Sequence, residues 1–153
     1  METLERILSE HPFFAGMDPQ HIHLLVGCAS NVRFDAGAFI FKQGEEADKF
    51  YLIRQGKAAL EIFPPTKGPI MIQTIGEGEV LGWSWLVPPH RWRFDARAIE
   101  LTRALALDGK CLREKCETDP RLGFELLRRF STIIADRLEA TCLQLVDVYA
   151  VHA

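Results

Sequence analysis

Between Asn31 and Asp108 the chain repeats one device, a short run of apolar, aromatic or β-branched residues followed by a glycine turn. RFDAG, FIFKQGEEAD, KFYLIRQGK, AALEIF, PPTKGP, IMIQTIGEGE and VLG succeed one another in this way. Strand-length runs punctuated so regularly predict an antiparallel sandwich or barrel, not alternating strand and helix. Gly37, Gly44, Gly56, Gly68 and Gly78 fall where turns are required, and glycine enters the positive-φ region at little cost. Phe94, Ala96 and Ala98 alternate with Asp95 and Arg97, as a half-buried strand should, and RALALD closes the sheet.

Helical periodicity flanks this zone on both sides. Leu4, Ile7 and Leu8 have helical spacing that His11-Pro12 breaks, and Asp18-Pro19 starts a second helix with Ile22, Leu25 and Val26 on its apolar face. Thr118-Asp119-Pro120 starts a third helical stretch, LGFELLRRFSTIIADRLEATCLQLVDVYA, which predicts about 45 Å of helix if continuous. Leu127, Phe130, Ile134, Leu138, Thr141, Leu145 and Val148 step by threes and fours along it. One small sheet can hardly cover so long a stripe, so the expectation is a homodimer joined along this helix rather than packing within the chain alone. The expected organisation is helices over residues 1–30, strands over 31–108 and helices over 109–153, all in one structural domain.

Composition narrows the functional classes. With 153 residues the chain has room for one real core. A net charge of −3 argues against broad attraction to nucleic acid. The N-terminus lacks a signal-peptide pattern, no apolar run is long enough for a bilayer, and a cytoplasmic protein without membrane contact is expected. Cys28, Cys111, Cys116 and Cys142 lack CxxC spacing and are expected to pack rather than bridge, although Cys111 and Cys116 could face one another across about a helical turn. No HExxH, nucleophile elbow or P-loop appears, so neither an enzyme nor a metal site is expected.

The segment FDAGAFIFKQGEEADKFYLIRQGKAAL, Phe34 to Leu60, resembles the opening of the cyclic nucleotide-binding domain, with Gly37, Gly44, Ala47, Asp48, Tyr51 and Gly56 in the places of that pattern. The likeness runs on through Gly76, Gly78 and Gly82 to Leu107-Asp108, and DPRLGFELLRRFSTIIADRL is similar to the dimer helix of the catabolite-activator and FNR-type regulators. The resemblance implies an α+β, mainly β fold: a jelly-roll-like β-roll of about eight antiparallel strands with N-terminal helices and a long C-terminal helix. It also implies a ligand cassette, here residues 76–98. In the family a short helix there offers backbone N–H groups to the cyclic phosphate, an arginine pairs with the phosphate, and the glutamate of a Phe-Gly-Glu sequence binds the ribose.

Laid on this chain, Phe-Gly-Glu becomes Leu81-Gly82-Trp83, and the arginine position falls on Trp92. Trp92 shares a strand face with Phe94, Ala96 and Ala98, while Arg91 and Arg93 share the other, and a slip of one residue would turn either arginine inward. The candidate pocket is therefore Leu81, Gly82, Trp83, Ser84, Trp85, Arg91, Trp92 and Arg93. An indole offers one donor and no acceptor, so it cannot replace a carboxylate. Three readings stay open. The first is a stand-alone dimeric sensor with a divergent aromatic pocket for an unidentified small anionic or nucleotide-like ligand. The second is an ordinary cAMP or cGMP receptor using Arg91 or Arg93, and the third a ligand-free dimerisation module. No cofactor is expected. Haem ligation by His90 is not expected, because a lone histidine beside Pro88-Pro89 reads as an exposed loop residue. The chain ends soon after the long helix, so no helix-turn-helix and no direct DNA binding are expected.

Overall fold

Eight antiparallel strands form two four-stranded sheets. In the computed structural model, which describes residues 3–151, the first sheet runs β1 (Ala29–Phe34), β8 (Thr102–Asp108), β3 (Lys49–Gln55) and β6 (Val80–Leu81). The second runs β2 (Phe39–Phe41), β7 (Asp95–Ala98), β4 (Lys57–Ile62) and β5 (Ile70–Gly76). The five glycines expected at turns all have positive φ.

The first sheet is buried on both faces, and its side-chain alternation decides what covers each. Tyr51, Ile53, Ala104 and Ala106 point between the sheets, where they meet Ala58, Leu60, Ile75 and Ala96. Phe50, Leu52, Leu105 and Leu107 point the other way, into a second cluster built with the helices. Strands β3 and β8 thus read as continuous apolar runs because both faces need apolar partners.

The helices close that second face. They are α1 (Leu4–Glu10), a 3-10 turn (Pro12–Phe14), α2 (Pro19–Val26), α3 (Gly109–Thr118) and α4 (Pro120–Val151). Each long helix starts at an aspartate that satisfies unpaired N–H groups: Asp18 for α2, Asp108 for α3 and Asp119 for α4. His11 joins this layer to β3. Its Nδ1 accepts from Phe13 N–H, so its Nε2 carries the proton toward the Ile53 carbonyl, and burial pulls its pKa below the ordinary 6.5.

Helix α4 has 32 residues, about 48 Å at 1.5 Å per residue. Its beginning is embedded: Leu122, Leu126 and Phe130 are buried, and Arg129 donates to the carbonyls of Phe13 and Ala15. Further on it is tied to the second sheet by polar contacts. Gln73 Nε2 donates to the Arg137 carbonyl (3.2 Å) and Gln144 Nε2 to the Ile72 carbonyl (2.8 Å). Phe130, counted on sequence with the dimer stripe, is fully buried among Phe13, Phe50 and Trp85 and belongs to the chain's own core. Leu127, Leu138, Leu145 and Val148 are more than half exposed, while Ile134 and Thr141 are partly covered.

The cysteines depart from expectation. Cys28, at the start of the first sheet, and Cys111, in the first turn of α3, form a disulfide. The 3.6-residue period of α3 could not reveal this, because the partner of Cys111 lies 83 residues away and is brought close only by the pairing of β1 with β8. Cys116 and Cys142 are free, the former half-buried with its thiol pKa pushed up by burial and the latter exposed. Closing a loop across 83 residues is worth on the order of 4 kcal/mol in the chain-entropy account. Reduction, or Cys28→Ser, is therefore expected to lower the denaturant midpoint markedly; an unchanged midpoint would mean that the bridge does not constrain the unfolded chain.

Candidate functional site

The segment from Gly76 to Ala98 leaves the second sheet, crosses to the first as β6, and returns as β7. Between β6 and β7 the chain is irregular. Gly82 has φ +97, and a Cβ there would stand 2.8 Å from two ring carbons of Trp92. Only glycine accommodates both that backbone and that neighbour. Leu86 N–H then bonds the Trp83 carbonyl and Val87 N–H the Ser84 carbonyl, which makes a turn. The expected cassette helix does not form among the described residues, because Pro88 and Pro89 have no N–H with which to continue the turn. The return path is fixed from outside: Ala47 N–H bonds the His90 carbonyl, Gly44 N–H the Trp92 carbonyl, and Trp92 N–H the Glu45 carbonyl.

The three indoles have three different places. Trp92, at the position the resemblance assigns to the phosphate arginine, points between the sheets, is 5% exposed, and stacks on Phe41 at 3.7 Å and 6°. It precedes β7 across a bend at Arg93 and Phe94, so the stack on Phe41 rather than strand alternation holds it there. Trp83 is half-buried at the rim. Trp85 lies on the opposite side of the first sheet from Trp92. It is fully buried, stacked on Phe50 (5.2 Å) and edge-on to Phe130 of α4 (5.4 Å). Its assignment to the pocket is thus corrected: Trp83 already packs against the helix-side cluster, and Trp85 is buried within it. Arg113 of α3 fastens it there by donating to the Trp85 carbonyl.

Of the neighbouring arginines, Arg91 stays outside the space beside Trp92, while Arg93 bounds it from the rim. Arg91 is exposed and donates to the Gly44 carbonyl at 2.9 Å. Arg93 folds back over the rim, its guanidinium 4.9 Å from the Trp83 ring centroid and its Nη1 3.3 Å from Ser84 Oγ. The cavity bounded by Gly82, Trp83, Ser84, Trp92 and Arg93 measures about 20 Å³, room for a single water. Leu81 lies under it, fully buried in the inter-sheet cluster. His90 is half-buried at φ +58 and does not line this cavity.

Phe94 of the cassette also lines the cavity, and three residues from distant segments, missed on sequence, complete the wall: Phe41, Leu60 and Arg137. Arg137 comes from α4, donates to the Val80 carbonyl, and has its pKa drawn down to about 10 by burial despite nearby Glu79. It remains cationic at neutral pH. The available signal was its spacing, since Arg137 lies two turns beyond Phe130 on the face that packs against the strands. Among the described residues no group of three or more His, Cys, Asp or Glu is placed to hold a metal, and no helix is long and apolar enough to cross a membrane.

Comparison with known proteins agrees with this architecture. The cyclic nucleotide-binding domain family matches residues 31–119. A CRP-like cAMP-activated global transcriptional regulator of Mycobacterium tuberculosis is 27% identical over 145 residues, which are 95% of this chain but 63% of that protein's length. A putative cyclic nucleotide-binding protein from Geobacter metallireducens superposes with a TM-score of 0.78 at 26% identity, covering 90% of this chain and 99% of the other. A cyclic nucleotide-binding domain from Methylobacillus flagellatus shares the fold at a TM-score of 0.79 and 17% identity, over 94% of this chain and 81% of its own. By its strand order, its glycine turns and the match across most of its sheets, the chain belongs to the cyclic nucleotide-binding domain family.

Proposed function

We propose that this chain is a regulatory module that works as a homodimer through α4 and whose cassette is filled by its own Trp92, so that it does not respond to cAMP or cGMP in the ordinary way. The carrying observation is the Trp92–Phe41 stack at 3.7 Å with about 20 Å³ beside it. Pockets for small ligands hold roughly 300 Å³ or more. Swinging so large a ring out of the core costs at least ~3 kcal/mol, which would weaken any ligand using that space more than about a hundredfold. An ordinary receptor would also need Arg91 or Arg93 released from its present partners. On this reading residues 76–98 correspond to the family's input and α4 to its output, with a regulatory rather than a catalytic role.

One observation favours a second reading, in which the rim takes a small anion. Arg93 over Trp83, beside Ser84, is a cation on an aromatic platform with a hydroxyl at hand. Such a ligand would sit outside the filled cavity, and would quench Trp83 fluorescence without displacing Trp92.

The α4 pairing rests on the stripe. Phe124, Leu127, Leu138, Leu145 and Val148 are each more than half exposed, and they fall with Ser131, Ile134 and Thr141 at first and fourth positions of a seven-residue repeat.

Three outcomes are expected. Calorimetric titration with cAMP or cGMP at micromolar concentrations should give no saturable heat; a clear isotherm would overturn the filled-cassette reading. Trp92→Ala should cost about 3–5 kcal/mol of stability and leave a cavity that takes up added indole, whereas a fully stable variant would show that the ring is not structural. Leu138→Glu, at a side chain 63% exposed in the single chain, should sediment as a folded monomer; an unchanged dimer mass would remove α4 from the interface.

A further inference from the structure

Helix α3 holds the cassette turn from both ends of its first two turns. At Gly109 its backbone passes so near that an added Cβ would stand 3.2 Å from Trp85 Cβ, and the Gly109 N–H is bound to the Asp48 carbonyl. At Arg113 the guanidinium donates to the Trp85 carbonyl at 2.6 Å. Between them Leu112 is fully buried in the helix-side core. Successive helical residues are turned by about 100°, so Cys111 and Arg113 flank Leu112 on opposite sides. One flank is thereby tied to Trp85 and the other, through the disulfide, to Cys28 between α2 and β1.

Trp85 is not at ease in its place. Its ring is fully buried, and its Nε1–H meets no acceptor among the described residues. A buried donor left unpaired disfavours the packed arrangement, so the turn stays packed only while its ties outweigh that cost. Loosening α3 acts on an indole that gains a hydrogen bond to water by moving.

The bridge can open and close without unfolding the chain. Cys28 is 6% exposed and Cys111 is half-buried, so an incoming thiolate meets the bridge from the Cys111 side. It bonds to Cys111 Sγ, the S–S bond breaks, and the electron pair leaves on the Cys28 sulfur, which takes up a proton. A second thiolate attacks the outer sulfur of the mixed disulfide and frees the Cys111 thiolate, which is protonated in turn. Two small thiols have then become one disulfide, and the bridge has gained two electrons. The reduced pair stays adjacent, because Ala29 remains opposite Leu107 and the Asp108 N–H on the Cys28 carbonyl. Exchange with a small disulfide runs the same steps backwards. Cys116 does not compete: it turns toward α4, where a Cβ at Gly123 would stand 3.2 Å from its own, and burial pushes its thiol pKa up.

We propose that the Cys28–Cys111 pair is a reversible thiol–disulfide switch for the cassette turn, exchanging with low-molecular-weight thiols and their disulfides. Oxidised, it pins the first turn of α3 and keeps Trp85 packed. Reduced, it lets that turn loosen and Trp85 leave its place. The switch depends neither on pairing of α4 nor on what the cassette binds.

The test uses the full chain with Cys142→Ser, labelled with 5-fluorotryptophan, its three fluorine resonances assigned from Trp83→Phe and Trp85→Phe. Equilibrated with oxidised glutathione, this chain should have one free thiol, and with excess reduced glutathione three. On reduction the Trp85 resonance should shift or broaden while that of Trp92, on the opposite side of the first sheet, stays where it was. Reoxidation should restore the first spectrum. Arg113→Gln should bring the same Trp85 change in the oxidised chain, and reduction should then add little. An unmoved Trp85 resonance on reduction, or collapse of all three to unfolded positions, makes the bridge a structural staple and overturns the switch. Three free thiols in the oxidised sample overturn it as well, as does an Arg113→Gln spectrum identical to that of the parent chain.

Discussion

The structure depends on one constraint, that strands β3 and β8 bury both of their faces. A sheet covered on one side could have left the cassette as an open flap. Here every residue from Phe50 to Ile53 needs an apolar partner, alternately between the sheets and under the helices. The helix layer is thus a second half of the core, and α4 is fixed to the strands by the same packing that stabilises them. Phe130 reaches Phe50 and Trp85 together, so sheet, cassette and helix share one aromatic cluster.

The cassette is held between two indoles that face opposite sides of that sheet. Trp85 secures its turn to the helix-side core, and Trp92 secures its return to the inter-sheet core. The small residues facing Trp92 make this possible. Ala58, Ala96, Ala104 and Ala106 leave space between the sheets, and Phe41 and Trp92 fill it. Interiors are packed to the density of organic solids, so a ring inserted at this position takes the volume that a ligand would otherwise use. Arg137 closes the same wall from α4, which puts the helix in direct contact with the cassette rather than at the end of a chain of intermediates.

Along α4 the environment changes from core to solvent. Its first eleven residues bury Leu122, Leu126 and Phe130, its middle is tied by Arg137, and its end exposes Leu143, Leu145, Val146, Val148 and Tyr149. A helix this apolar at its exposed end gains little by remaining alone in water, since each large apolar side chain covered contributes about 1.5–3 kcal/mol. Pairing of α4 and a cassette closed by its own side chain are consistent with each other: the helix is already docked on the strands through protein contacts, with no ligand needed to bridge them.

The sequence by itself determined the fold, because glycine turns and a period-two apolar pattern leave a chain of this length few ways to bury its strands. The direction of Trp92, by contrast, is a tertiary matter: it precedes β7 across a bend at Arg93 and Phe94, and its stack on Phe41 holds it between the sheets. Other assignments needed contacts between residues far apart in the chain. Trp85 and Phe130 carried the right spacing for pocket and stripe, yet each was claimed by the other in a core that brings positions 85 and 130 to 5.4 Å. The bridge from Cys28 to Cys111 and the entry of Arg137 into the cassette wall are of the same kind. Periodicity reports which face of an element is apolar, but only tertiary packing decides which neighbour covers it.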